Sequence, residues 1–108
     1  MSYKVYRSQR FNKDLSKFDY GFKSVIDKIE GHIAENPYSG EPLGVKWFRE
    51  KRHEKYRIYY LIYEEIKVVF MIAISEKKNQ QKVIDTIWVL LDLFKNELNN
   101  LIDKDKFI

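Results

Sequence analysis

Seven consecutive apolar residues, Val68 to Ile74, constrain this chain more than any other stretch. The run is far short of the roughly 20 residues a membrane-spanning helix needs. Its length and β-branched content suit a strand, and an unbroken apolar strand belongs inside a sheet with both faces covered. Around it the pattern changes period twice. Tyr3 to Arg7 alternates as a short strand does. Ser8 then stands as an N-cap, and Phe11, Leu15 and Phe18 form a helical stripe. A turn near Asp19 starts a second stripe, Phe22, Val25, Ile26, Ile29 and Ile33, which must stop at Asn36-Pro37 because the residue before proline leaves the α region.

Pro37 to Gly44 holds both prolines and two of the four glycines, and is the main loop. Three strands follow, at about 45–51, 56–63 and 67–75. Ile84, Ile87, Leu91, Phe94, Leu98 and Leu101 then recur at three- and four-residue spacing, which predicts one C-terminal helix over residues 79–104. The expected fold is α+β, a small antiparallel-rich twisted sheet in the order β-α-α-β-β-β-α. It carries an N-terminal αα-hairpin and a long C-terminal helix, with the helices on one side of the sheet. At 108 residues the chain makes one domain. The C-terminal helix covers the sheet or the αα-hairpin, or else docks a partner, and its end beyond Leu98 is expected to project.

The chain has no cysteine, which excludes disulfides and thiolate metal sites and fits a cytoplasmic protein. Two histidines are too few for most metal sites, and no signal peptide or membrane span is visible. The net charge of +4 is unevenly spread. Residues 41–60 carry six Lys and Arg against three Glu, a balance of +3. From Val83 onward three Lys face five acidic residues, a balance of −2. Basic charge concentrated in mid-chain is the footprint of a polyanionic partner.

That basic segment reads as a β-hairpin. With its turn at His53-Glu54, Arg52 pairs with Lys55, Glu50 with Arg57, Phe48 with Tyr59 and Lys46 with Leu61. One open face then carries Lys46, Glu50, Arg52, Lys55 and Arg57, with Phe48 and Tyr59 between them. Arg49 and Lys51 fall on the other face, at its rim. Guanidinium and ammonium groups on an open sheet bind phosphate, and an exposed aromatic such as Tyr59 stacks on an unpaired base. Lys77, Lys78 and Lys82 extend the basic surface beyond the last strand. Glu50 is expected as the salt-bridge partner of Arg57, His53 as a solvated turn residue and His32 as structural. The plain alternative is that charged strand residues merely solvate an open sheet.

Four features together resemble the RelE/ParE superfamily of type II toxin–antitoxin toxins, specifically its RelE/HigB-like ribonucleases. They are Pro37 followed by Gly40 and Leu43-Gly44; Phe48-Arg49-Glu50-Lys51-Arg52; Tyr56-Arg57-Ile58-Tyr59-Tyr60; and Glu76-Lys77-Lys78-Asn79-Gln80. The resemblance spans roughly residues 3–87. It implies a ribosome-dependent endoribonuclease that cuts mRNA by 2′-hydroxyl attack, without metal or cofactor, and a cognate antitoxin that binds it in a hetero-oligomer. It also implies catalytic roles for Arg52, Arg57 and Lys77, with Lys78 continuing that run. The basic segment itself adds RNA contacts by Lys46, Arg49, Lys51, Lys55, Tyr59 and Lys82 as expectations. Some members carry a tyrosine shortly after the last basic run, and Gln81-Lys82-Val83-Ile84 has none. The rival readings are a ParE-like inhibitor of DNA gyrase and a non-catalytic RNA-binding protein.

Overall fold

Ser8 ends the first strand, β1 (Lys4–Arg7), and begins the first helix, α1 (Gln9–Leu15). Its hydroxyl accepts from the Phe11 N–H at 2.9 Å and donates to the Ile72 carbonyl at 2.9 Å, so one side chain caps the helix and fastens it to the sheet. Asp19 caps α2 (Tyr20–Glu35) in the same way, through the Phe22 N–H at 2.9 Å. The helix stops before Pro37 as expected. The structure is a computed structural model, and it describes residues 2–106.

The sheet has five strands in the order β1-β5-β4-β3-β2. β2 (Glu41–Pro42) is a two-residue addition that the sequence did not announce. β3 (Phe48–His53), β4 (Tyr56–Tyr63) and β5 (Val68–Glu76) form an antiparallel meander, and β1 runs parallel to β5. All seven residues of the apolar run are buried.

That run is covered from both sides, which corrects the expectation of helices on one face. Phe11 and Leu15 of α1 and Ile26 and Ile33 of α2 pack on Ile58, Tyr60, Ile62 and Met71. The opposite face, with Phe48, Tyr59, Leu61 and Phe70, is closed by Val83, Ile87, Phe94 and Leu98. Each such side chain contributes about 1.5–3 kcal/mol on full burial, so neither face is free to lose its cover. A bulge lies between Tyr59 and Tyr60: Tyr59 pairs with Ala73 and Tyr60 with Met71, leaving Ile72 as the extra residue. The extra residue swaps the faces of the strand beyond it, and so aims Ser75 to the same side as Tyr59.

The C-terminal helix is two helices, α3 (Gln80–Val89) and α4 (Leu91–Lys106), rather than one. They break at Leu90, whose N–H is shared between the Thr86 and Ile87 carbonyls at 3.1 Å each. The far end does not project. Leu101 and Ile102 pack on the core, Asp105 accepts from Lys4 and from the Tyr6 hydroxyl, and Glu97 accepts the Gln9 N–H at 2.7 Å. The helix end is thus tied to β1, with the Asp105 carboxyl held below its usual range chiefly by Lys4.

Candidate phosphate-binding site

The hairpin turn is Glu54-Lys55, with Glu54 in the left-handed region at φ 52°. Pairing is therefore shifted by two residues from the expected register: Glu50 faces Tyr59, Arg52 faces Arg57 and His53 faces Tyr56. A shift of two preserves the faces. Glu50, Arg52, Arg57 and Tyr59 do share one side of the sheet. That side is not open, however, because α3 begins over it.

Gln80, the first residue of α3, donates to Glu50 Oε1 at 2.7 Å, and Arg52 Nε donates to Glu50 Oε2 at 3.2 Å. The Glu50 side chain is fully buried, while Arg52 is 59% exposed. Glu50 is therefore the anchor of Arg52, not the expected partner of Arg57. Arg57 is not on an open face either; it is 6% exposed. Its Nη1 donates to the carbonyls of Glu54 at 3.2 Å and Tyr56 at 2.9 Å. Its Nε is buried without any hydrogen-bond partner. Leaving a buried charged donor unpaired costs about 1–3 kcal/mol or more. Arg57 makes no ion pair among the described residues, so its guanidinium is a candidate for pairing with an anion.

Tyr59 is fully buried, and its hydroxyl is 2.8 Å from Ser75 Oγ. Burial pushes that phenol up, with the Ser75 hydrogen bond and then the Arg57 charge acting in the opposite sense. The expected stacking of Tyr59 on a base is corrected: its ring belongs to the core under α3. Lys55 and Lys77 lie side by side at the hairpin tip, the Lys77 N–H donating to the Lys55 carbonyl at 2.7 Å. Glu76 sits between the tip lysines, 3.5 Å from Lys55 and 4.0 Å from Lys78. Lys77 and Lys82 are exposed and make no ion pair among the described residues. Arg52, Arg57, Lys55, Lys77 and Lys78 thus gather at one end of the sheet, with Lys82 further along α3.

Three other expected RNA contacts do not join them. Arg49 projects to the opposite face and donates to the carbonyls of Lys46, Tyr38 and Gly40 at 2.7–2.8 Å, which makes it a clamp on the loop. Lys46 precedes β3 in a turn, its ammonium 5.4 Å from the centre of the Tyr38 ring. It lines a hollow with Ile62 and Tyr63 at the other end of β4, on the order of 17 Å from Arg57 at about 3.3 Å per residue. Lys51 faces α2, where desolvation holds its ammonium below the usual range. His53 is half-buried against Phe22, ring centres 5.9 Å apart, and is not a solvated turn residue. Sequence reading missed Gln80 and Ser75. Gln80 lies inside the quoted Glu76–Gln80 motif, but its partner is 30 residues away; Ser75 is aimed by a bulge that no residue signals. Among the described residues no His, Cys, Asp or Glu cluster could hold a metal ion, and no helix is long and apolar enough to cross a membrane.

Residues 5–81 match the family described as ParE toxin of type II toxin-antitoxin system, parDE. The chain belongs to this family, within the RelE/ParE superfamily, and is a type II toxin–antitoxin toxin. Solved structures of the same fold include a double variant of the E. coli toxin RelE in the free state. It has a TM-score of 0.67 and 20% identity, over 75% of this chain and 90% of that one. A RelBE complex of Mycobacterium tuberculosis gives 0.63 and 21%, over 70% and 99%. The intact E. coli RelBE toxin–antitoxin complex gives 0.63 and 20%, over 69% and 96%. No curated protein matches the chain significantly.

Proposed function

We propose that the protein is a ribosome-dependent endoribonuclease of the RelE kind, which cleaves mRNA by attack of a 2′-hydroxyl on the adjacent phosphate. The observation that supports this reading is Arg57, buried with its Nε unfilled beside an exposed Arg52. Nε itself is closed to solvent, so a phosphate oxygen meets the guanidinium from its outer edge and neutralises a charge that no carboxylate pairs with among the described residues.

In this scheme the 2′-oxygen forms a bond to phosphorus and the bond from phosphorus to the 5′-oxygen breaks. The products are a 2′,3′-cyclic phosphate and a 5′-hydroxyl. The 2′-hydroxyl proton leaves to water and the departing oxygen takes one up. Arg57 holds the non-bridging oxygens as charge builds in the pentacoordinate state, where preorganised donors act most strongly. Arg52, oriented by Glu50 and Gln80, supplies the second guanidinium. Lys77, with Lys55 and Lys78 beside it, faces the flanking phosphate. Charge neutralisation and in-line positioning are the work assigned to the protein, and the scheme draws on no metal or organic cofactor. The ribosome presents the strand and the cytoplasm is the site of action. A cognate antitoxin is the partner, its acidic segment meeting the same cations in a hetero-oligomer.

A second reading is favoured by two observations. The matching family is described as ParE, and the lysine whose pKa is lowered, Lys51, lies on the other face from Arg57, so it cannot take the 2′-hydroxyl proton. In that reading the protein inhibits DNA gyrase and cleaves nothing. Induction in cells with mapping of mRNA 5′ ends decides between them. In-frame cuts within translated codons support the nuclease; gyrase-dependent DNA damage with intact messages replaces it by the inhibitor.

A further inference from the structure

The outer side of β3 is paired only as far as Glu50. β2 meets Glu50 and Arg49 through Glu41 and Pro42 and then ends. Lys51, Arg52 and His53 therefore form an uncovered sheet edge. Across from that edge, Lys28 and His32 of α2 close a groove of about 320 Å³ over a floor of Val25 and Ile29. No carboxylate lines it. Neither Lys28 nor Lys51 makes an ion pair among the described residues. An ordinary protein surface mixes the two signs of charge, and a groove that carries one sign alone is suited to a ligand of the other.

We propose that this groove is a second phosphate subsite for single-stranded RNA, continuous with the Arg57 site through Arg52. The inference rests on the RNA reading above. Neighbouring strand residues point to opposite faces, so Arg52 stands on the Arg57 side of the β3 edge and Lys51 on the groove side, with Arg52 lining both. A phosphodiester chain leaving Arg57 crosses the edge at Arg52 and finds Lys51, Lys28 and His32 next. An acidic peptide is the other conceivable occupant. Added as a strand along the edge it would pair with the β3 backbone, but it would leave Lys28 and His32, on α2, unmatched.

The experiment is a salt titration of binding to a mixed-sequence single-stranded oligoribonucleotide, with thermal melting as the check on folding. The variants are Lys28→Gln with Lys51→Gln, and Arg57→Gln alone. Each phosphate contact contributes roughly −0.7 to the log–log slope. The double variant is expected to lose about 1.4 of slope, and Arg57→Gln about 0.7. An unchanged slope in the double variant, with a reduced slope in Arg57→Gln, overturns the subsite and leaves the RNA reading standing. A flat profile for the parent protein overturns both. If the double variant loses affinity for polyglutamate while its RNA slope is unchanged, the groove belongs to an acidic protein segment and the proposal is wrong.

Discussion

Arg49 and Arg57 sit on neighbouring strands of one hairpin, yet the two ends of that hairpin treat a guanidinium in opposite ways. At the loop end, Arg49 spends its donors on three backbone carbonyls, and the loop from Tyr38 to Lys46 is held by them. At the tip end, Arg57 is buried more deeply but is bonded only through Nη1, with Nε left empty. Burial and positive charge are common to both. The difference is satisfaction: a guanidinium whose donors are used builds structure, and one held in place without a carboxylate partner is the one we propose for the phosphate. The same contrast separates two tyrosines. The Tyr60 hydroxyl donates to the Pro37 carbonyl at 2.6 Å and accepts the Gly40 N–H at 3.1 Å, while the Tyr59 hydroxyl meets Ser75 beside the arginine cluster.

The largest effect expected from this contrast is on activity. Arg57→Ala should lower mRNA cleavage, measured as end formation after induction, by about a hundredfold or more, the scale of losing one preorganised donor at a charged transition state. Its folding stability should fall modestly: the unpaired Nε is removed, but the truncation leaves a gap where the buried stem packed. Arg57→Met sharpens the point: it should melt no lower than the parent while being equally inactive. A severe loss of stability in Arg57→Met would place Arg57 with Arg49 as a structural clamp.

Arg49→Ala should show the reverse pattern. Removing a charged donor from three carbonyls costs about 2–4 kcal/mol, read as a fall in the urea midpoint. Cleavage per folded molecule should stay near the parent's. Retained stability with lost cleavage would mean that the two arginines have been assigned the wrong way round.

Gln80→Ala tests the link between the arginine cluster and α3. It frees one oxygen of a buried carboxylate, so a loss of about 1–3 kcal/mol is expected. Arg52 loses part of its anchor, so cleavage should fall by less than in Arg57→Ala. An effect on cleavage as large as that of Arg57→Ala would make Gln80 a direct contact with RNA instead of a positioning residue.

How much of this contrast could be read beforehand depends on range. Strand and helix order was legible because Ser8, Asp19 and Pro37 punctuate the chain locally, and the parity of the hairpin survived an error of two residues. The register itself was not legible, since Glu54-Lys55 offers none of the Asn-Gly or Asp-Gly signals of a two-residue turn. The openness of the basic face was misjudged for a related reason. Val68 to Ile74 already demanded cover on both faces, but nothing in residues 79–104 states where a helix will lie. The break at Leu90 has no glycine or proline to announce it; it lets α3 sit over the hairpin while α4 runs to β1. That placement buries Tyr59 and fixes Glu50 through Gln80, while the lysines of the hairpin tip stay exposed.

The smallest effect expected is at high pH, and it belongs to the structural end of the hairpin. Burial pushes the phenols of Tyr60 and Tyr63 from 10.0 up to about 12, and burial with Glu64 does the same to Tyr38. A raised folded-state pKa means that the unfolded chain gives up its proton first. The stability these groups contribute is complete below pH 10 and is lost as pH climbs through about 12. Urea midpoints should therefore be level up to about pH 9 and decline across that window. Tyr60→Phe should start about 1 kcal/mol lower at neutral pH, since the Pro37 carbonyl and the Gly40 N–H lose their partner. Its decline between pH 10 and 12 should then be shallower than the parent's. Equal slopes would show that Tyr60 is not among the phenols whose ionisation drives alkaline unfolding, and would leave Tyr38 and Tyr63 to account for it.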